Sequence, residues 1–324
     1  AFPTVYINQN KLAKANIKSS EWQLKSSQLE IATQVKQIYW QLAYLYSKQK
    51  LFAYQDSLYS GFRKAAELRA NTGETNKLEM ISARSQSLEI KNQLRRINAD
   101  LIIYNQKLQT ILNTKSDVAP ADTILRRIDY LPVDNSNLAA NPSLAYVNQQ
   151  VEVSHLEKKV ETSRILPDLS IGYFSQTLLG TQDVNGISRT FGTGDRFTGI
   201  QVGISIPLWF TPFTAKAKAA KMKEKATQTD AENFSKSLSC NYRSLMLEFS
   251  KNSNSVEYYE KQAIPEADLI IEQATQSYKA GAMDYLDYIL SLNRALSIKQ
   301  NYLDALNDYN QTIISIDFIT GKIY

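Results

Sequence analysis

The chain has 324 residues, 43% of them hydrophobic, and carries 37 Lys and Arg against 32 Asp and Glu, a net charge of +5. One Cys (Cys240) and one His (His155) exclude an internal disulfide framework and a Cys/His metal cluster. No apolar run reaches the length of a transmembrane helix, and the basic residues alternate with acidic ones along helical patterns without a nucleic-acid-reading motif.

The chain opens Ala1-Phe2-Pro3-Thr4-Val5-Tyr6 with no initiating Met, and so reads as a mature or excised piece. Those six residues are expected to form the end of a strand. From Ile7 to about Ala70 there is no Pro and one Gly, Gly61. Ile31, Val35, Ile38, Leu42, Leu45, Phe52, Tyr59, Phe62 and Ala66 recur in steps of three, four or seven, a coiled-coil period. A helix of that span would reach on the order of 90 Å. A reversal follows at Gly73, and a second helix runs to about Asn113 with Leu94, Ile97, Leu101, Tyr104, Leu108 and Ile111 on its seam. The short loop makes the two helices antiparallel neighbours.

Residues 114–140 form a connector in which Pro120 and Pro132 break the helical period, with a short strand expected over Thr123–Ile128. A shorter helix starts at Asn141-Pro142-Ser143-Leu144, with Asn141 as N-cap and Pro142 at the first helical position, and ends before Pro167. Seven of the eleven Gly then fall between residues 172 and 203. Asp168–Tyr173 and Gln201–Ile206 alternate, which predicts a β-hairpin over about residues 168–208 closed by Pro207. One face carries Leu169, Ile171, Tyr173, Val202, Ile204 and Ile206; the other carries Ser170, Gly172, Gln201, Gly203 and Ser205. A soluble sheet alternates this way too, but the small polar face suits a water-filled barrel wall. Trp209 and Phe210 suit either a membrane-interface girdle or packing at the strand-to-helix corner. A long helix runs from about Thr214 to Tyr278, with Leu238, Tyr242, Leu245, Phe249, Val256, Tyr259 and Ala263 on its seam and a kink expected at Pro265. Lys216, Lys218, Lys221, Lys223 and Lys225 at its start read as a solvated face or as neighbours of anionic lipid heads. After Gly281 the last helix runs from about Asp284 to Thr320, with Tyr302, Leu306, Tyr309, Ile313 and Ile316 on its seam.

The two halves match. Phe2–Tyr6 aligns with Ile206–Phe210, Tyr39, Leu42 and Tyr46 with Tyr242, Leu245 and Phe249, and Gly73 with Gly281. Gly61 falls opposite Pro265, a weak point at one level in both long helices. The fold class is therefore mainly α: two long antiparallel coiled-coil helical hairpins forming an internal repeat, plus a β-hairpin. The organisation is residues 1–113 as the first repeat, 114–140 as connector and 141–324 as the second.

Asn141–Leu144 opening a helix, Leu166-Pro167-Asp168-Leu169-Ser170-Ile171-Gly172-Tyr173 opening a strand, Ile204-Ser205-Ile206-Pro207-Leu208 ending one, and Tyr278-Lys279-Ala280-Gly281 followed by Asp284-Tyr285-Leu286-Asp287 together resemble the TolC-type outer-membrane efflux channel family. The resemblance covers essentially the whole chain. It extends to the TolC-like C-terminal extension carried by some heavy-metal pumps of the resistance–nodulation–division class. It implies a homotrimer in which each protomer gives strands to one shared β-barrel in the outer membrane, in contact with lipid, and helical hairpins to a periplasmic tunnel. Its implied partners are a periplasmic adaptor and an inner-membrane pump. No cofactor, metal site or nucleic acid is implied. Because family members carry a strand pair before the first long helix, the chain is expected to be a fragment lacking that pair.

The resemblance also names the aperture. Tyr278 matches the family's tip tyrosine, Asp287 matches the first of two aperture aspartates, and Glu79 sits where the first hairpin has an acidic partner. Leu290 and Met283 stand at the second aspartate and the basic partner positions, so one ring of three Asp287 carboxylates is implied rather than two. Asp287 also fits a solvent-facing residue in the first turn of a helix, favoured by the dipole. Gly73 and Gly281 are expected to be left-handed helix caps. His155, beside Glu152 and Glu157, reads as a surface or interface residue. Three functions compete: a passive conduit for metal ions or small toxic compounds, a coiled-coil scaffold or adaptor of the cell envelope, and an enzyme. No nucleophile–His–acid set or phosphate loop supports the last.

Overall fold

The structure is a computed structural model that describes residues 2–116, 118, 120–130, 135–206 and 208–322. Six α-helices and four strands alternate along it: α1 (Pro3–Asn71), α2 (Lys77–Ile111), α3 (Pro142–Ser163), β1 (Asp168–Gln176), β2 (Gly180–Val184), β3 (Ile187–Phe191), β4 (Phe197–Ser205), α4 (Thr211–Tyr258), α5 (Ile264–Lys279) and α6 (Tyr285–Ile319). The chain divides into two compact units. The first comprises Ala1–Ser26 and Pro142–Lys236, and the second Ser27–Asn141 and Ser237–Tyr324. The expected mainly α architecture with antiparallel helical hairpins and a β-hairpin is what the backbone forms.

In the second unit the apolar seams meet. Leu42, Phe52, Tyr59 and Phe62 of α1 form one cluster with Ile90, Ile97, Leu101 and Leu108 of α2 and with Leu292, Leu296, Leu306, Tyr309 and Ile313 of α6. Ile31, expected on the α1 seam, is exposed, and Leu29 is buried instead. The two positions lie about 200° apart around a helix, so this stretch of α1 buries a different face from the one that carries Leu42 and Phe52. Helix α1 also runs unbroken through Gly61, which keeps its N–H. Pro265 has no N–H to give, and just before it the helix widens into a π-turn at Tyr259–Ala263, where Ile264 N–H bonds back to Tyr259 C=O.

Two expectations fail because tertiary contacts override the local pattern. Residues 3–6 are helix rather than strand end: Pro3 suits the first helical position, and Val5 is buried on the α1 seam. Residues 123–128 form no strand, because side chains on the helices take up their backbone groups. Ser47 Oγ accepts from Leu125 N–H at 2.7 Å. The fully buried Asn310 accepts from Ile128 N–H at 3.0 Å and donates to Arg126 C=O at 2.8 Å. Tyr39 and Arg126 both reach Asp122. The connector is thus a strap tied to α1 and α6. Residues 131–134 and Pro207, which include the expected Pro132 break and the hairpin's closing proline, lie outside the described residues.

The first unit packs by close approach of small and amide side chains. Ser163 Oγ accepts from Asn8, Ser19 Oγ from Gln150, and Ala15 C=O from Gln149, so the start of α1 lies against α3. Strands β1 and β4 pair antiparallel with Leu169 opposite Ile204, Ile171 opposite Val202 and Ser170 opposite Gly203. This is the register that puts the apolar residues on one face. A Cβ on Gly199 would stand 2.7 Å from the ring of Phe174, which lies across it on the other face. Inside the loop, β2 and β3 form a second hairpin around Asn185-Gly186, both at positive φ. That dipeptide is a type I′ hairpin signal.

Asn310→Ala removes one donor and one acceptor that two part-buried backbone groups of the connector depend on. The expected loss is about 2 to 4 kcal/mol in urea unfolding, with hydrogen-exchange protection lost at the Ile128 amide before the α6 amides.

Candidate functional site

Each helical reversal is built the same way. At the ends of α1 and α5, Gly73 (φ 77°) and Gly281 (φ 72°) adopt the left-handed conformation. Glu74 N–H bonds to Arg69 C=O at 2.8 Å and Ala282 N–H to Ser277 C=O at 2.9 Å, the six-to-one bond of a Schellman cap. Three residues after each glycine comes an N-cap. Asn76 accepts from Glu79 N–H at 2.9 Å, and Asp284 accepts from Asp287 N–H at 2.8 Å. Glu79 and Asp287 therefore occupy equivalent positions in the first turns of α2 and α6, where the helix dipole favours a carboxylate.

Their surroundings differ. The Glu79 carboxylate is mostly buried, pairs with Arg69 at 3.1 Å and accepts the Thr75 hydroxyl. In the second reversal the residues equivalent to Arg69 and Thr75 are Ser277 and Met283, and Met283 packs on the apolar cluster. Asp287 is exposed, and among the described residues its carboxylate has no hydrogen-bond or ion-pair partner. Asp287 thus holds the dipole-favoured, solvent-facing place of a first-turn carboxylate.

Tyr278 belongs to an aromatic cluster that sequence reading did not assemble. Its ring stacks on Tyr288 with centroids 4.5 Å apart and planes 6° apart. Phe62 of α1 stands edge-on to Tyr59, Tyr278, Tyr285 and Tyr288, nearest to Tyr288 at 5.1 Å. The Tyr59 hydroxyl donates to Asn293 on α6. Burial first, and then the neighbouring Tyr285, push the Tyr59 phenol up to about 12. Burial, then the charges of Glu79 and Tyr278, push Tyr285 up to about 12. Both phenols are neutral across the physiological range. Glu79 and Tyr278 thus both act electrostatically on Tyr285, whereas Asp287 is exposed to solvent. The sequence signal for the cluster was available in Tyr278, Tyr285 and Tyr288, spaced seven and three apart across the reversal, but nothing local pointed to Phe62.

His155, expected to be a surface or interface residue, lies half-buried between α3 and α4. Its Nδ1 lies 2.6 Å from the Glu224 carboxylate on α4, which also accepts from Lys158 at 2.6 Å. Hydrogen bonds from Lys158 first and His155 second hold the Glu224 carboxyl below the usual carboxylate range. Among the described residues no group of three or more His, Cys, Asp or Glu is placed to hold a metal ion.

No protein-family model matches the chain, and no curated protein matches it. Solved structures do. The outer-membrane channel OprN superposes with a TM-score of 0.84 at 17% identity, covering 98% of this chain and 72% of OprN. The CmeC outer-membrane channel of Campylobacter jejuni gives 0.81 at 15% identity, covering 98% and 68%. CusC, whose structures describe folding and transmembrane channel formation, gives 0.80 at 14% identity, covering 98% and 74%. The chain has the TolC-type outer-membrane channel fold.

Two outcomes follow for the site. Phe62→Ala empties the centre of the aromatic cluster and is expected to cost about 3 to 5 kcal/mol. Tyr278→Phe, which removes a hydroxyl without a hydrogen-bond partner and keeps the stacked ring, changes stability by less than about 0.5 kcal/mol. Chemical denaturation of the two variants checks both. For Glu224, a depressed folded pKa means stability that is present above the ordinary carboxylate range and lost as pH falls through the folded value. The stability difference between wild type and Glu224→Gln is expected to be full at neutral pH and to vanish in acid, read from unfolding midpoints across the pH range.

Proposed function

We propose that the chain is a protomer of a trimeric outer-membrane channel, the passive exit conduit of a tripartite efflux system. The observation that carries this is the β1–β4 hairpin. Its strands are nine residues long, within the roughly 9 to 11 that a tilted membrane-spanning strand needs. One face exposes Ile171 (80%), Ile200 (77%), Val202 and Ile204. The other offers Ser170, Gly172, Gln201 and Gly203 to water. A two-stranded sheet is marginal alone, and closure into a barrel removes its edges. No helix among the described residues is long and apolar enough to cross a membrane, so the strands are the membrane element of this reading. The likeness to solved outer-membrane channels supports it.

The helical hairpins then stand in the periplasm and meet an adaptor, with the pump in the inner membrane. The chain performs no chemistry; the pump supplies the energy and solute diffuses through. The pump is of the resistance–nodulation–division class, and the cargo is metal ions or small toxic compounds. Asp287 is the aperture carboxylate, three in a trimer, and attracts cations by focusing the field in a narrow polar passage. Tyr278 holds the second reversal by stacking. Glu79, neutralised by Arg69, fastens the first. The scaffold reading leaves the exposed apolar strand face without a purpose.

Single-channel recording of the full-length protein in planar bilayers tests the reading. Stable pores with cation preference are expected, and Asp287→Asn is expected to lower the cation-to-anion permeability ratio severalfold with the pore intact. A folded protein that neither inserts nor conducts overturns the conduit. Unchanged selectivity in Asp287→Asn removes that residue from the aperture.

A further inference from the structure

The net charge is not spread over the molecule. The first unit holds fifteen Lys and Arg against ten Asp and Glu, a net +5, whereas the second holds twenty-two of each and is neutral. All the excess therefore belongs to the unit that bears the β1–β4 hairpin. Within it, three acids of α3 and α4 are already engaged: Glu157 by Lys223, Glu161 by Arg164, and Glu224 by Lys158 and His155. Lys216, Lys218, Lys221 and Lys225 on the first turns of α4 are exposed, and among the described residues they have no acidic partner. Lys218, Lys221 and Lys225 recur at steps of three and four and so share one helix face. Lys11 and Lys14 of α1 are likewise exposed and unpaired. Their helix begins at the same level, since Asn8 bonds to Ser163 at the end of α3, five residues before β1.

The cations stand at the foot of an apolar surface. Leu208 (85% exposed) and Trp209 (79%) project from the corner between β4 and α4. An amphipathic ring there suits the boundary between hydrocarbon and headgroups. Lys216 and Lys218 follow at about 8 and 11 Å of helix rise from the start of α4. That is one to two Debye lengths at physiological salt, and long Lys side chains shorten the gap by reaching toward the boundary.

We propose that the basic start of α4, with Lys11 and Lys14 at a similar level on α1, is a binding surface for the anionic headgroups of phospholipids at the periplasm-facing boundary of the bilayer. The inference rests on the membrane reading of the β1–β4 hairpin, and its partner is a lipid surface bearing net negative charge. The hairpin supplies insertion that does not depend on headgroup charge, and the lysines add an electrostatic increment that fixes the depth at which the helices leave the membrane.

The test is flotation of the full chain with vesicles of phosphatidylethanolamine alone or containing phosphatidylglycerol, with helical circular dichroism confirming that each variant is folded. Phosphatidylglycerol is expected to raise the bound fraction about tenfold or more, from several lysines near the surface, and high salt removes the gain. The combined Lys216→Gln, Lys218→Gln, Lys221→Gln and Lys225→Gln variant loses the gain but still binds neutral vesicles, and the corresponding Arg variant keeps it. No response to phosphatidylglycerol, or the same response in the Gln variant as in wild type, overturns the proposal. The hairpin reading is tested separately by Ile200→Asp with Ile204→Asp, which should abolish binding to neutral vesicles. If wild type gains binding with phosphatidylglycerol yet never binds neutral vesicles, the hairpin reading fails and the lysine surface stands.

Discussion

A helix with one narrow apolar stripe is stable in water only if that stripe is covered along its whole length, and everything in the second unit follows from how the covering is kept in register. The reversals set it. A left-handed glycine ends α1 and α5 by the same hydrogen bonds, and an N-cap three residues later starts α2 and α6. Two fixed ends leave no freedom to slide one helix along the other. Phe62 then inserts among Tyr278, Tyr285 and Tyr288, so that the first hairpin is locked to the second close to where both turn. Farther along, the connector does the same with polar groups, through Asn310 and Ser47. Apolar packing supplies the bulk of the stabilisation, and these polar ties specify a single register.

Repetition makes the differences between the two halves informative. The caps are alike, so Glu79 and Asp287 have the same backbone and the same place in the helix dipole. Glu79 gains Arg69 and Thr75; Asp287 has Ser277 and Met283 at those positions. One carboxylate is spent on holding its hairpin together and the other faces solvent. That asymmetry comes from two side chains, without any change of backbone.

The features legible in the sequence were the local ones. Gly73 and Gly281 announce the reversals, since a positive φ at a helix end selects glycine, and the alternation in Asp168–Tyr173 and Gln201–Ile206 predicts the face that Leu169 and Ile204 share. What escaped depends on partners far along the chain. Thr123–Ile128 has the composition of a strand, but residues some 80 and 180 positions away take its hydrogen bonds. His155 has acids beside it at 152 and 157, and pairs instead with Glu224. At Pro3 and Val5 a β-like composition yields to a buried helical seam. In each case tertiary contact outweighs local propensity, which is worth tenths of a kcal/mol per residue.

The hairpin poses the opposite problem, because neither face of β1 and β4 is covered within the chain. Gly199 and Gly203 weaken the strand by their own lack of side chains. Phe174, lying across Gly199, and Ser170, bonding to Gly203 C=O at 3.3 Å, offset part of that loss on the polar face. On the other face nothing within the protein compensates for Ile171, Ile200 and Val202 standing in water. A strand pair of this kind gains its stability from whatever covers its apolar face and pairs its two open edges.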